Sequence, residues 1–379
     1  MELTFQERAG SFSRFASARS TMRSVVPSAH DLTERVHVKA RELGFDAVGI
    51  ANAIEPLDID HARYEAFLEA GMHGTMAYLA ENREARHSVN GPHILEGAKS
   101  VICIAQRYQR SREEEASDPP LARSIARYAR GSDYHNFLRR KLRKLAAFVR
   151  TLGTEDAPVQ ARPLADDAPI LERAWAARAG LGFIGKNGLV IVPGLGSMLL
   201  IGEVVTTLDL LSGTPIAERC GSCTRCLDAC PTSAFPRPFV LDAQKCLSYV
   251  TIEQRGEVAS HLIDAIGEHL FGCDDCQTVC PFNASAKPRD VKDQFSPRPE
   301  WSDVDAIDLL QLSEMQIAEL VGSSPLKRTT PRGVLRNACF VVGAQKDVRA
   351  REVLLALGEH ADAGVRQAAR WAITQLHGL

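Results

Sequence analysis

Apolar residues recur every three to four positions between Asp31 and Gly44. That repeat predicts an amphipathic helix, capped by Ser28 or Asp31 and stopped at Gly44. Phe45–Ala51 then reads as a short buried strand, and Ser100–Tyr108, rich in Val and Ile, as another. Ser111–Pro120 is charged and ends in prolines, which predicts a surface loop. Asn136–Leu152 has the pattern of a strongly basic helix, and Ile170–Ala179 that of a helix ending at Gly180. Gly188–Pro193 and Met198–Thr206 read as paired strands about the turn Gly194-Leu195-Gly196. Helices interleaved with strands predict an α/β domain over residues 31–212.

Gly213-Thr214-Pro215 marks a boundary, and a cysteine-rich segment at 213–290 follows. Prolines 288, 297 and 299 form a linker, after which residues 291–379 are helical by pattern. Leu335-Arg336-Asn337-Ala338 is echoed thirty positions later by Val365-Arg366-Gln367-Ala368. The echo leaves two readings open: a small HEAT-like module, or two unrelated amphipathic helices. Residues 1–30 read as a loosely ordered extension, in which Glu2 and Glu7 argue against a transit segment and no apolar signal core is visible.

Composition narrows the class. The chain has 379 residues, enough for more than one unit. Apolar runs such as Leu189–Pro193 and Met198–Ile201 are too short to cross a bilayer. A net charge of −2 supplies no global field for nucleic acid, so such binding must come from local patches. Eight of the ten cysteines lie between Cys220 and Cys280. That clustering suits metal ligation in a reducing compartment, the cytoplasm, and not a secreted disulfide framework. Cys103 and Cys339 sit in apolar runs and read as buried thiols.

Cys220-x2-Cys223-x2-Cys226-x3-Cys230-Pro231 is the bacterial ferredoxin run. Cys246 and Cys273-x2-Cys276-x3-Cys280-Pro281 complete a second set. Three thiolates two residues apart wrap one cubane, and the fourth starts a chain segment pointing at the other cubane. The expected ligand sets for two [4Fe–4S] clusters are therefore Cys220, Cys223, Cys226 and Cys280, and Cys230, Cys246, Cys273 and Cys276. Structural zinc also uses C-x2-C pairs, but it has no use for the C-x3-C-P crossing. A pure electron carrier needs only this segment, so the larger preceding domain is expected to hold a substrate or second cofactor.

In that domain, Asp166 and Asp167 precede a helix. A lone Asp there is most often a cap, but two leave one to cap and one to act. Gly180-x-Gly182-x-x-Gly185 follows a helix and not a strand, which excludes the dinucleotide fingerprint. Asp133-Tyr134-His135 reads as a helix cap with a surface histidine, or as a catalytic pair. Arg139, Arg140, Lys141, Arg143, Lys144 and Arg150 form the densest basic run, either a solvated face or a hold on phosphates. Lys327, Arg328, Arg332 and Arg336 form a smaller basic group.

Five stretches together carry a resemblance. They are Asp133-Tyr134-His135, Asp166-x-Ala168-Pro169-x-Leu171-Glu172-Arg173, Gly180-Leu-Gly182-x-x-Gly185-Lys186, Cys246-Leu-Ser248-Tyr249-x-Thr251-Ile252-Glu253 and Gly272-Cys-Asp274-Asp275-Cys-Gln277. In these the chain resembles the epoxyqueuosine reductase family from about Asp31 to its end. The family comprises cobalamin-dependent iron–sulfur enzymes related to reductive dehalogenases, which convert epoxyqueuosine to queuosine at the wobble position of tRNA.

The resemblance implies a reductive-dehalogenase-like cobalamin domain, a ferredoxin-like domain with two [4Fe–4S] clusters and a HEAT-like tail. It implies electrons passing from a surface cluster to an inner one and on to cobalamin. It implies Asp166 as the proton donor to the epoxide oxygen, kept protonated by burial. Cobalamin contacts would fall on Arg86, Ser248, Asp274 and Asp275, with Ala129, Val190 and Ile201 lining the corrin. Gln254 and Arg255 would meet tRNA.

The motif D-x-H-x-x-G begins at Asp133 but has Leu138 in place of glycine, so base-off cobalamin without a histidine lower ligand is expected. Phe183 and Phe282 replace family tryptophans, and Met198 stands where an aromatic is common. The expected partners are tRNA and a flavodoxin- or ferredoxin-type donor, with the protein a monomer and no membrane. Two rivals share some of these features: a small-molecule reductive dehalogenase and a non-enzymatic electron-transfer adaptor. The first has no reason for the basic helix or the HEAT-like tail, and the second predicts no cobalamin binding.

Overall fold

The computed structural model describes residues 27–287 and 294–377. Most of the N-terminal extension and Pro288 of the linker lie outside them. Six strands occur in chain order: β1 (Ala47–Asn52), β2 (Ser100–Arg107), β3 (Ala161–Leu164), β4 (Phe183–Ile184), β5 (Val190–Ile191) and β6 (Leu199–Thr206). Four make one sheet in the order β1-β2-β6-β3, and β4 pairs with β5 alone. Every pairing is antiparallel, with Cys103 at the centre facing Gly49 on one side and Glu203 on the other.

Helices cover both faces of the sheet. On one face, Ala29–Glu42 and Tyr134–Arg150 bring Val36, Ala40, Leu138, Leu142, Leu145 and Val149 onto Ile50, Ile102, Ile104 and Val204. Each of these Val, Leu and Ile side chains stabilises the fold by about 1.5–3 kcal/mol when fully buried. The spacing 138, 142, 145, 149 lets a helix this basic fold, because its charges fall on the other side. On the opposite face, Glu172–Arg178 packs Trp175 and Ala176 against Val101, Cys103, Ala105 and Val205.

Two sequence expectations need correction. Gly188–Pro193 and Met198–Thr206 do not form a hairpin: β5 pairs with β4, and β6 runs into the sheet beside β2. The cause is Asn283 of the cysteine segment, which accepts from the Ser197 amide at 2.6 Å. Gly196, at φ +76°, passes so close to Asn283 that a Cβ would overlap it. The stretch Ser111–Pro120 is also not all loop. Arg112–Ala116 is helical, with Ser111 and Glu114 closing a reciprocal cap.

The cysteine segment carries short helices, including Leu247–Ile252 and Asp275–Thr278, and the C-terminal region carries longer ones, including Pro331–Gln345 and Ala363–His377. Leu247, Val250, Ile263 and Phe271 share one continuous core with Trp301, Leu335, Phe340 and Ala368. The echoed polar residues dock these parts together. Arg336 donates to the carbonyls of Val250, Gln254 and Gly256, and Asn337 to those of Thr251 and Leu270. Gln367 bonds both backbone groups of Val258. Cys103 and Cys339 are fully buried. Among the described residues no helix is long and apolar enough to cross a membrane.

Candidate functional site

The eight clustered thiols fall into two groups. Cys230, Cys246, Cys273 and Cys276 line one small pocket, with Cys246 and Cys273 packed on the large core. Cys220 and Cys280 pack with Phe183, Ile191 and Phe282, and Cys226 feels the charges of Cys220's neighbours Cys223 and Cys280. Phe183 meets Phe282 edge-on at 5.4 Å, so the exchanges from tryptophan keep an aromatic contact. The chain around Cys220–Cys226 is mostly exposed, which makes this the outer group. Burial pushes the thiols of Cys220 and Cys246 up to about 11, and that of Cys276 further still. Thiols crowded like this ionise only when a cation compensates them, as cluster iron does. Backbone amides already point at the sulfurs: Ala234 N lies 3.3 Å from Cys230 Sγ.

Asp166 sits at the end of β3 in the left-handed region, at φ +56°. That conformation costs an L-residue about 1–2 kcal/mol. Three contacts hold it. Its amide donates to Glu172 Oε1 at 3.1 Å, the Tyr134 hydroxyl donates to its Oδ2 at 2.9 Å, and His135 Nε2 lies 3.5 Å from the same oxygen. The carboxylate is 59% exposed. Neither Asp166 nor Asp167 caps the following helix. Asp167 accepts from the Ala165 amide and pairs with Arg139 at 3.1 Å.

The electrostatics of Asp166 differ from the expectation. Burial raises its pKa, but hydrogen bonds from His135 and Tyr134, with the charge of Arg328, outweigh it and hold the carboxyl below its ordinary range. His135 moves the other way. Its bond to Asp166, opposed by burial and joined by Asp133, raises it. The proton of this pair therefore rests on the imidazole. Lys327 bonds the far oxygen of Asp133, so the C-terminal region reaches into the same network.

Two further acids lie behind Asp166. Burial and the Asp166 charge push Glu172 up to about 8. Glu203 on β6 is fully buried with neither carboxylate oxygen partnered, and burial keeps it protonated. Tyr134 also links the acid to the inner thiols. Its ring meets Tyr128 at 5.9 Å, Tyr128 meets Phe271 at 6.4 Å, and Asp274, next to Cys273, accepts from the Arg127 amide at 2.7 Å.

The other expected site residues divide. Arg86 is buried, donates to the Tyr78 carbonyl at 3.2 Å and keeps an Nε without a partner. Ser248 is half-buried at the start of helix Leu247–Ile252, just after Cys246, and Ile201 is half-buried on β6. Ala129 and Val190 are buried, Ala129 in the large core and Val190 in the core beside Trp175. Asp274 is engaged by Arg127 and Gln277, and Asp275 pairs with His269 at 3.3 Å. Both have internal partners. Arg255 donates to the carbonyls of Ile252 and Arg328. With Gln254 it borders a surface pocket of ≈390 Å³ shared by Thr330, Arg332 and Arg336.

The sequence reading missed Glu203 and His269, and it named Lys327 and Arg328 only as part of a basic group, without their link to Asp133 and Asp166. Glu203 left a signal: a lone acid in an apolar strand.

A profile described as a 4Fe-4S double cluster binding domain matches residues 219–283, and one described as epoxyqueuosine reductase QueG matches residues 90–167. The chain is 41% identical over 322 residues to the epoxyqueuosine reductase of Gloeobacter violaceus, covering 83% of this chain and 96% of that protein. It is 38% identical over 362 residues to that of Xanthomonas campestris pv. campestris, covering 93% and 98%. A crystal structure of epoxyqueuosine reductase with an epoxyqueuosine-modified tRNA-Tyr stem loop matches with a TM-score of 0.81 at 30% identity, over 92% of this chain and 91% of that one. The enzyme from Streptococcus thermophilus matches with a TM-score of 0.77 at 28% identity, over 91% and 90%.

Proposed function

The chain belongs to the epoxyqueuosine reductase family of oxidoreductases, and we propose that it reduces epoxyqueuosine to queuosine at the wobble position of tRNA. One observation carries the reading at the level of the site. The exposed carboxylate of Asp166 stands two aromatic rings, Tyr134 and Tyr128, from the segment that holds the inner thiols. A proton donor beside an electron source is what deoxygenation of an epoxide requires.

The eight thiols suit two [4Fe–4S] clusters, with Cys230, Cys246, Cys273 and Cys276 on the inner one. Cobalamin is the second cofactor of this proposal. The buried, unpartnered Nε of Arg86 fits it, being a donor that a corrin amide or phosphate would satisfy. Arg86 and Ser248 would hold the cofactor, and Ile201 would line it. Bound there, cobalamin supplies the reducing equivalents at the substrate carbon. His135 is occupied by the carboxylates of Asp133 and Asp166, so it would not be among the residues that hold the cofactor.

The protein's own groups manage the protons. Ring opening followed by loss of the oxygen as water consumes two electrons and two protons and leaves an alkene. His135 holds the first proton, and Asp166 relays it through Oδ2 to the epoxide oxygen, because an unprotonated alkoxide leaves poorly. The second proton enters from solvent across the exposed carboxylate.

Gln254 and Arg255 border the pocket proposed to receive tRNA backbone phosphate, and the exposed Cys220–Cys226 loop is where a flavodoxin- or ferredoxin-type donor would dock. The remaining parts of the proposal are a monomer acting in the cytoplasm and a HEAT-like C-terminal module. The domain limits are 31–212, 213–290 and 291–379.

Expression in a bacterium whose tRNA accumulates epoxyqueuosine tests the proposal. Queuosine should replace epoxyqueuosine in digested tRNA, and unchanged epoxyqueuosine alongside soluble, cluster-loaded protein would overturn it.

A further inference from the structure

His269 belongs to no stretch that the resemblance or the mechanism uses, yet its position is tightly defined. Helix Ser260–Ile266 ends at Gly267, whose φ of +52° turns the chain back on itself. His269 follows, with Nδ1 2.7 Å from the Ile266 carbonyl and Nε2 3.3 Å from Asp275 Oδ1. A carbonyl and a carboxylate can only accept, so both ring nitrogens carry hydrogen, and the Nε2–H edge is turned toward Asp275. Asp275 lies between Cys273 and Cys276 in the chain. A ring nitrogen of His269, the Cys273 sulfur and a carboxylate oxygen of Asp275 all lie within 4.8 Å of one another. Among the described residues this is the one such group of histidine, cysteine and carboxylate. Cys273 already serves the inner cluster, so the trio is not a separate metal site.

We infer that His269 is a positioning residue for electron transfer. Anchored by Ile266 and Asp275, it presents a donor edge to the Cys273 thiolate and raises the reduction potential of the inner [4Fe–4S] cluster. The inference rests on the proposed assignment of Cys230, Cys246, Cys273 and Cys276 to that cluster.

Reduction adds one electron to a cluster whose charge is shared with its sulfurs. A hydrogen-bond donor at one sulfur stabilises the reduced form more than the oxidised form, so the potential rises. Among the described residues no histidine stands beside an outer sulfur in this way: the Lys186 ammonium bonds the carbonyls of Gly221 and Cys223, and the donors to Cys220 and Cys226 are backbone amides, such as those of Lys186 and Leu227. The asymmetry sets a direction: an inner cluster with the higher potential draws the electron inward from the exposed donor side. The electron itself comes from an external one-electron donor of the flavodoxin or ferredoxin class.

The test is a redox titration of the cluster-loaded protein with dithionite, followed by electron paramagnetic resonance, for wild type, His269→Leu, His269→Gln and Asp275→Asn. His269→Leu should move the inner-cluster midpoint to a more negative potential, with the outer cluster unmoved and the iron content full. His269→Gln keeps an N–H donor and should restore part of the shift, and Asp275→Asn should fall between. Wild-type midpoints in a fully loaded His269→Leu protein would overturn the inference. If that variant loses its inner cluster, unshifted midpoints in both His269→Gln and Asp275→Asn would overturn it instead. A wild-type protein with only one titrating cluster would overturn the cluster assignment beneath it.

Discussion

His135 joins two carboxylates, with Nδ1 2.7 Å from Asp133 Oδ1 and Nε2 3.5 Å from Asp166 Oδ2. The shifts run in opposite directions, and each has a consequence for pH. His135 is raised above its ordinary 6.5, so its contribution to stability is complete below that pH and is lost as pH climbs through the raised value. Asp166 is depressed below its ordinary 3.8, so its contribution is complete above that pH and is lost as pH falls through the depressed value. The pair is fully formed between those two ordinary values.

The same proton governs turnover. With His135 raised, activity should persist into mildly alkaline solution. His135→Gln leaves only the carboxyl to carry the proton, so the falling limb of the pH–rate profile should move toward acid. Single-turnover rates across pH check this, and an unmoved limb would remove His135 from proton supply.

Asp166→Asn keeps the side-chain shape and removes the acid. Loss of a general acid costs about 10²–10⁴-fold in rate. The variant should bind tRNA and take up cobalamin as wild type does, because neither depends on the proton. Equal turnover by the variant would show that another group protonates the epoxide.

Cys276→Ser removes one ligand of the inner set. Iron should fall from about eight atoms per chain toward about four, with the outer cluster's signal kept. Loss of the outer signal instead would mean that the two ligand sets are exchanged.

Arg336 is 2% exposed and serves three backbone carbonyls of the cysteine segment. Arg336→Leu should cost about 1–3 kcal/mol for each carbonyl left without a donor. Denaturant unfolding of the loaded protein would measure it, and a change within error would place the docking energy elsewhere.

Much of this site was legible because its chemistry is local in sequence. Cysteine spacing sorted eight thiols into two sets, and Asp166 stood at the end of a strand before a helix. What was not legible depends on distant segments meeting. Arg336 reads as one member of a small basic group until the Val250–Gly256 backbone is seen to occupy it. Glu203 was missed because nothing in its strand alone shows that helices cover both faces of this sheet. The hairpin expected around Gly194 fails because Asn283, nearly ninety residues on, binds Ser197. Burial was expected to keep Asp166 protonated, but Tyr134 and His135 reverse the balance, which only the folded geometry reveals.

The central claim is that this chain deoxygenates epoxyqueuosine at a site served by Asp166 and the inner cluster. Its most direct test is a single-turnover assay with protein loaded with cobalamin and both clusters, reduced chemically and mixed with an epoxyqueuosine-modified anticodon stem loop. The nucleosides are then identified by mass spectrometry. The account predicts queuosine in amounts approaching one per chain. Intact epoxyqueuosine, with iron, cobalamin and bound RNA all confirmed at full occupancy, would contradict it.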